Sequence, residues 1–261
     1  MSNQISVKGL VIKTVDYRES DRIITVFTEE MGVVSAMARS ARSLKSKKMS
    51  ATLQYCYSNF ILIKRGDFYD VKEAELIESF FDIRKTIDGL ALSAYIAEVL
   101  SFVTVAEAER ELLRLSLNSL YAIASGKYPL NKVKAAFEIR CATILGFMPD
   151  VTSCAICGEK NGEFFFDIMG GHIQCFSCKS KAEKTHTEIS DPHESHIVCI
   201  ISEGARRALL YCIYCPVERL LSFSLSNEEM SLFTRAAEAY LINQLERSFN
   251  TLDFYKEVAT I

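Results

Sequence analysis

Acidic residues are absent from residues 31–66, although the whole chain carries a formal net charge of -3. The same stretch contains seven basic residues, which leaves the rest of the chain at about -10. They are Arg39, Arg42, Lys45, Lys47, Lys48, Lys64 and Arg65. A local positive segment in an acidic protein is what a nucleic-acid phosphate backbone needs, and a solvated basic loop is the alternative.

Sequence motifs of common catalytic sites are also absent. The chain has no GxxxxGK(S/T) loop, no GxGxxG after a strand, no GxSxG and no HExxH. The sequence therefore predicts a protein that is not an enzyme and does not hydrolyse nucleotides. His186, His193 and His196, near Asp191 and Glu194, are interpreted as a solvated connection, with a second metal site or a general base as the alternative.

No signal peptide and no membrane span are predicted. The start Met1-Ser-Asn-Gln lacks a basic region and an apolar region. The most apolar window, residues 89–106, carries Glu98 and favours a buried core helix. We therefore expect a cytoplasmic protein with reduced thiols at its nine cysteines.

Five β-like runs are present in the first 80 residues. They lie at residues 5–15, 22–28, 33–38, 54–65 and 68–79, and the long connection between the third and fourth is the basic loop. This pattern predicts a five-stranded oligonucleotide-binding (OB) barrel over residues 1–80.

An OB barrel binds single strands across one strand face and the adjoining loops. We predict that Arg18 and Arg22 extend the path of the seven basic residues, although Arg22 could equally pair with Asp16 or Asp21. Candidate base-stacking side chains are Tyr17, Phe27, Tyr55, Tyr57 and Phe68.

Beyond residue 80 the hydrophobic period changes to that of helices. Helical patterns run over residues 85–103, 107–125, 131–145 and 227–247. The last begins with Ser226-x-x-Glu229, which is typical of a capping box. The fold class is therefore α+β, with a helical domain over residues 81–261.

Two CxxC pairs interrupt the helical domain and predict a zinc ribbon inserted at about residues 151–181. Cys154 and Cys157 precede Cys175 and Cys178 by a spacing typical of one structural Zn²⁺ with four thiolates. Residues 163–166 and 172–174 are predicted to form a hairpin. His172 could replace one sulfur.

The other cysteines are predicted to be buried. Cys212-Ile-Tyr-Cys215 is interpreted as a pair of buried thiols, with a redox or metal role as the alternative. Cys56, Cys141 and Cys199 are expected in the core.

Four short motifs near the start resemble those of the bacterial RecO recombination mediators. They are Gly9-Leu-Val-Ile-Lys13, Tyr17-Arg-Glu-Ser-Asp-Arg22, Phe27-Thr-Glu-Glu-Met-Gly32 and Ala38-Arg-Ser-Ala-Arg42. Leu145-Gly-Phe-Met-Pro-Asp150, which runs into Cys154-x-x-Cys157, resembles the second signature of that family.

The resemblance covers nearly the whole chain. It implies a DNA repair protein of the RecF-type pathway that binds single- and double-stranded DNA and anneals complementary strands. It also implies RecR and single-strand-binding protein as partners, with the tail of the latter docking on the helical domain. Basic residues there are Lys132, Lys134, Arg140, Arg206 and Arg207.

Two other functions remain as alternatives. The barrel could serve as a protein-interaction scaffold with an incidental basic loop, in which case DNA affinity would be absent or insensitive to salt. A zinc-dependent enzyme acting on a base would need a metal position open to water and a nearby glutamate. The four-cysteine spacing and the lack of an HxE signature argue against that enzyme.

Overall fold

The computed structural model describes residues 4–66, 68–103, 109–185 and 197–259. Its first five elements are strands, as the alternating pattern predicts. They are β1 (Gln4–Tyr17), β2 (Asp21–Thr28), β3 (Gly32–Ala38), β4 (Cys56–Arg65) and β5 (Phe68–Ser79). They close into a barrel in the order β1-β2-β3-β5-β4, which confirms the predicted OB-type fold.

The barrel closes because β1 pairs with β2 on one side and with β4 on the other. A register shift between Val11 and Lys13 marks where β1 bends from one partner to the next. On β3 and β4 alternate residues are buried, so one face of each strand supplies the core. Phe60 and Leu62 of β4 meet Val26 of β2 in that core.

The basic segment between β3 and β4 is packed against the barrel. Residues 39–55 form consecutive turns, and the small side chains of Ala41, Ala51 and Thr52 are fully buried. Because these side chains are small, the backbone of the segment can lie close against the barrel. The basic residues therefore stand on a shaped surface.

The described residues after the barrel strands form seven α-helices. They are α1 (Ile87–Phe102), α2 (Glu109–Ser125), α3 (Leu130–Ile144), α4 (Phe176–Thr185), α5 (Glu203–Tyr214), α6 (Asn227–Gln244) and α7 (Asn250–Ala259). The four predicted helical stretches correspond to α1, α2, α3 and α6, and the capping box of Ser226 and Glu229 is present. In the described part of the chain, no helix is long and apolar enough to cross a membrane.

Helix α1 is the apolar window that the sequence predicts to be buried. Its Tyr95 is fully buried and meets the ring of Phe249 edge to face at 5.7 Å. The one carboxylate in the window, Glu98, accepts a hydrogen bond from the backbone N–H of Thr251 at 3.1 Å. The hydrogen bond offsets the cost of placing this charge beside the core.

A four-stranded sheet carries the cysteine motifs. Its strands, in the order β6-β8-β7-β9, are β6 (Asp150–Cys154), β7 (Phe164–Asp167), β8 (His172–Cys175) and β9 (Val198–Ile201). The predicted hairpin is β7 paired with β8. Strand β9 pairs with β7 and lies beyond residue 181, where the insertion was expected to end. His186, Asp191, His193, Glu194 and His196 lie outside the described residues.

The chain divides into two compact units. One comprises residues 1–130 and 249–261, and the other comprises residues 131–248. The first contains the barrel with α1, α2 and α7, and the second contains the four-stranded sheet with α3 to α6. That residues 1–80 form a domain of their own stays a prediction.

We expect a fragment of residues 1–80 to fold as a β-rich unit. One core cluster, whose buried members lie between Val7 and Val71, belongs wholly to these residues. Circular dichroism of the fragment tests this expectation, and a helical spectrum would contradict it.

Candidate nucleic-acid interface and metal centre

One end of the barrel brings three separate pieces of chain together. The register pairs Tyr17 with Asp21, Arg22 with Ala38, Met37 with Asp70, and Arg65 with Phe68. The β1–β2 turn, the end of β3 and the β4–β5 turn therefore lie on the same edge. We call this edge, with residues 17–18, 37–39, 65 and 68–70, the barrel rim.

Two aromatic side chains are exposed at the barrel rim. Tyr17 is 39% exposed and Phe68 is 52% exposed, so both rings are partly accessible to a ligand. The guanidinium of Arg18 lies over the Tyr17 ring, 5.2 Å from its centroid. Phe27 and Tyr55 are buried in the barrel, which removes them as stacking candidates, and Tyr57 is half-buried.

Two arginines at the rim share one carboxylate. Arg39 Nη2 lies 3.4 Å from Asp70 Oδ1, and Arg65 Nε lies 3.5 Å from Asp70 Oδ2. Both guanidiniums are about two-thirds exposed, and together with Met37, Phe68 and Asp70 they line an open pocket of about 600 Å³. Two cations and one anion leave a net positive charge beside an exposed ring.

Arg22 and Arg42 are directed at the protein instead. Arg22 Nε lies 3.6 Å from Asp16, and its Nη1 donates to the Thr52 hydroxyl at 3.2 Å. Arg42 Nε lies 3.3 Å from Asp16, and its Nη1 donates to the backbone carbonyl of Arg18 at 3.3 Å. These contacts fix the β1–β2 turn against the basic segment, so both arginines position the rim.

Lys48 also has a structural contact. The register between β3 and β5 ends at Met37 and Asp70, and Lys48 Nζ donates to the next carbonyl, that of Val71, at 3.3 Å. Burial lowers the pKa of the Lys48 amine, and Asp21 and Asp70 partly offset this effect. Lys45, Lys47 and Lys64 are exposed, and within the described residues their amines have no hydrogen-bonding or ion-pair partner.

The four cysteines of the two CxxC pairs meet at one point in the second unit. The sulfur atoms of Cys154, Cys157, Cys175 and Cys178 all lie within 4.8 Å of one another. Cys157 Sγ and Cys175 Sγ are 3.6 Å apart, close to the roughly 3.8 Å edge of a tetrahedron with metal–sulfur bonds of about 2.3 Å. The donor set therefore fits a metal ion that prefers four sulfur ligands.

Local backbone structure places each pair of sulfurs. Cys154 ends β6, and its carbonyl accepts from the Gly158 N–H at 2.9 Å, which closes the first turn. Gly158 has φ of +77°, a backbone conformation that favours glycine. Cys175 ends β8 and Cys178 lies in the first turn of α4, so the second pair spans a strand-to-helix junction.

The protein stabilises the thiolate form of only some of the four cysteines. Burial opposes ionisation of Cys154, but N–H groups directed at its sulfur, including that of Cys175 at 3.3 Å, lower its pKa to about 6. The hydrogen bond to Cys157, together with burial, raises the pKa of Cys178 to about 12. Four thiolates at this separation therefore need a cation.

Within the described part of the chain, these four cysteines form the one His/Cys/Asp/Glu group with metal-ligand spacing. His172 is not a member, and its ring lies 3.3 Å from the Gln174 amide. Cys212 and Cys215 are buried, and burial raises the pKa of both thiols, which agrees with their interpretation as core residues. Cys56, Cys141 and Cys199 are buried as expected.

The basic residues of the helical domain that the sequence singled out do not form one exposed basic surface. Lys132 and Lys134 are buried, and Lys134 pairs with Glu138 at 2.9 Å and Glu238 at 2.8 Å. Arg140 donates to the Cys215 carbonyl, and exposed Arg207 pairs with Glu203.

The sequence did not predict the role of Arg206, which holds the end of β6 and the following turn through hydrogen bonds. This side chain is buried, and its Nη1 donates to the carbonyls of Val151 at 3.2 Å and Thr152 at 3.0 Å. Its Nη2 donates to the carbonyl of Lys160. Both acceptor segments flank the turn of Cys154 and Cys157, so α5 holds the first CxxC pair in place.

Comparison with known proteins gives the family. The family model described as Recombination protein O N terminal matches residues 1–80, and that described as Recombination protein O C terminal matches residues 84–253. "DNA repair protein RecO" of Acetivibrio thermocellus is 34% identical over 262 residues, with 99% of each chain covered. The protein of that name from Caldicellulosiruptor saccharolyticus is 32% identical, covering 97% of this chain and 98% of the relative. The chain therefore belongs to the RecO family of DNA repair and recombination proteins.

Proposed function

We propose that this protein is a recombination mediator without catalytic activity that binds single- and double-stranded DNA and anneals complementary strands. The observation that carries the proposal is the barrel rim, where exposed Tyr17 and Phe68 each lie beside arginines. In OB folds the β1–β2 and β4–β5 loops border the oligonucleotide site, and the rim consists of these loops and the end of β3.

The rim has the two properties that single-strand binding requires. Exposed rings offer faces on which bases stack whatever their sequence, because every base has a π-face. Arg18, Arg39 and Arg65 supply charge for the phosphates between the bases, and Lys45, Lys47 and Lys64 extend the positive surface. Arg22, Arg42 and Lys48 hold the backbone of that surface in place through their hydrogen bonds to Thr52, Arg18 and Val71.

Annealing follows from contacts of this kind. Two complementary strands repel each other through their phosphates, and a protein that neutralises both strands lowers that barrier. Contacts to the backbone and to base faces leave the hydrogen-bonding edges of the bases free to pair. No chemical step is needed, in keeping with the lack of catalytic motifs.

The metal ion in this proposal is zinc, one per chain, held by Cys154, Cys157, Cys175 and Cys178. Zinc prefers tetrahedral sulfur ligands, and the sulfur spacing agrees with that geometry. Four protein ligands leave no position for water, so the ion would organise the fold of β6, β8 and α4. This closed set also disfavours a zinc-dependent enzyme acting on a base.

RecR and single-strand-binding protein are the proposed partners, in the RecF-type pathway on the nucleoid in the cytoplasm. Support for them comes from the family relationship. The helical domain stays the expected docking site of single-strand-binding protein, although the buried Lys132, Lys134 and Arg206 are not available to it.

DNA binding by the intact chain at several salt concentrations tests the proposal. We expect affinity to fall steeply with salt, and changing Lys45 and Lys47 to alanine to reduce the log–log salt slope by roughly 0.7 to 0.9 per lysine. The melting temperature should hardly move, because both side chains are exposed.

The matched control changes Lys127 and Lys160, two exposed lysines outside the barrel, and should leave the slope unchanged. Salt-insensitive binding, or none, would favour the scaffold in which the barrel serves proteins alone.

A further inference from the structure

Strand β5 runs past its neighbour on one side. It is parallel to β3, and the pairing consists of Ala36 with Tyr69 and Met37 with Asp70. Because β3 ends at Ala38, no strand formed by the described residues lies on that side of β5 from Lys72 to Ser79. Along this stretch, which the structure describes completely, the backbone bonds of β5 go to β4. We call residues 72–79 the free edge.

The ends of the free edge are closed by the protein itself. Lys48 Nζ donates to the Val71 carbonyl at one end. At the other end the Ser79 N–H donates to the carboxylate of Glu78 at 3.0 Å. Between these points, half of the backbone groups of a paired strand face away from its partner. These groups are available to another extended chain.

A groove accompanies the free edge and contains apolar surface. It has a volume of about 680 Å³, and its lining includes Ala74 and Leu76 on β5 together with Lys47 and Lys48. Leu76 is 38% exposed although it lies opposite buried Ser58, and Ile77 at the register shift is 48% exposed. An added strand would cover these side chains.

The charges beside the free edge select the occupant. Glu73, Glu75 and Glu78 lie opposite Ile61, Asn59 and Tyr57, the outward-facing residues of β4, so all three carboxylates share the outer face of the barrel. They are exposed and recur along one strand. Lys72 lies 3.9 Å from Glu73, but the three carboxylates outnumber this one amine on the strand. On the outer face they therefore repel DNA, and a second copy of this chain would bring the same carboxylates against its own.

We propose that the free edge of β5 binds an extended segment of a partner protein by strand addition. The segment alternates basic residues, which pair with Glu73, Glu75 and Glu78, with apolar residues, which cover Ala74 and Leu76. Backbone hydrogen bonds supply the binding, and the alternation supplies the register. The barrel rim is a separate surface, and strand addition does not rest on the proposed DNA binding, although Lys47 borders both the groove and the positive surface of that proposal.

A capped peptide of about eight residues that alternates valine and lysine is a direct probe. We expect it to bind the full chain, and hydrogen exchange to slow at the amides of residues 72–79. N-methylation of one alternate set of its residues should abolish binding and N-methylation of the other should not, because only one set directs its N–H groups to β5. Equal binding of both methylated peptides, protection at other residues, or no binding would overturn the proposal.

Charge variants test the selectivity of the same surface. Changing Glu73, Glu75 and Glu78 together to glutamine should lower the affinity for the peptide about tenfold, because each exposed ion pair contributes only modestly to binding. The control changes three exposed glutamates elsewhere, Glu111, Glu163 and Glu257, and should leave peptide affinity unchanged. Equal losses in both triple variants would show attraction to the overall negative charge and overturn the site. The affinity for DNA is measured in parallel. Absence of DNA binding with intact peptide binding would contradict the proposed function of the barrel rim and leave strand addition supported.

Discussion

Replacing Cys175 with serine is expected to reduce bound zinc from about one ion per chain to near zero. Its sulfur lies 3.6 Å from that of Cys157, and its N–H donates to Cys154, so it belongs to both halves of the site. Binding free energies of structural zinc in short finger peptides are on the order of 10 kcal/mol, and that energy is folding energy. We therefore expect the sheet of β6, β7, β8 and β9 to lose its protection against proteolysis.

Cys199 provides the matched control for this change. It is buried in β9 of the same sheet and lies outside the four-sulfur group, so Cys199→Ala should keep the full zinc content. Elemental analysis of freshly purified, reduced protein measures both variants. Parent protein without zinc would remove the metal assignment, and equal zinc in the parent and Cys175→Ser would remove Cys175 as a ligand.

The barrel and the metal site were predictable because local signals specify them. Alternation of buried and exposed residues on β3 and β4 is visible in the sequence, since a strand that covers a core must repeat every two residues. The four-cysteine site was equally predictable from the sequence. Each CxxC turn brings two sulfur atoms together by local backbone structure, without contacts to residues far away in the sequence.

Strand β9 was missed for the opposite reason. Its four residues, Val198–Ile201, are too few to show a period, and what makes them a strand is pairing with β7, more than thirty positions earlier. The β-branched run at this point was the available signal, and it lies just after a polar stretch that suggested a surface connection.

The roles of individual cations were the least predictable feature. Lys48 and Lys47 are neighbours in one basic run, yet Lys48 reaches the Val71 carbonyl while Lys47 is exposed. Arg206 and Arg207 differ in the same way, since Arg206 is buried against backbone carbonyls and Arg207 pairs on the surface. A long cationic side chain can either stay hydrated at the surface or donate a hydrogen bond to an acceptor far away in the sequence. Only the tertiary structure determines which of the two occurs.

The rim aromatics carry the largest effect expected on DNA binding. Stacking of a base on an aromatic side chain contributes about 1–3 kcal/mol per base, as measured by alanine substitution. Changing Tyr17 and Phe68 together to alanine should therefore lower the affinity for single-stranded DNA by roughly 30-fold or more. Both rings are exposed, so the melting temperature should change little.

The same double variant separates the two kinds of DNA. Bases in a duplex are stacked on each other and offer no free face, so duplex affinity rests on phosphate contacts and should be nearly unchanged. Tyr121 and Phe254, exposed on α2 and α7, give a control pair of the same residue types that should bind like the parent. Fluorescence anisotropy with matched single- and double-stranded oligonucleotides measures all three proteins. If single- and double-stranded affinities fall equally in the Tyr17 and Phe68 variant, the rings do not stack bases, and the rim binds through its arginines alone.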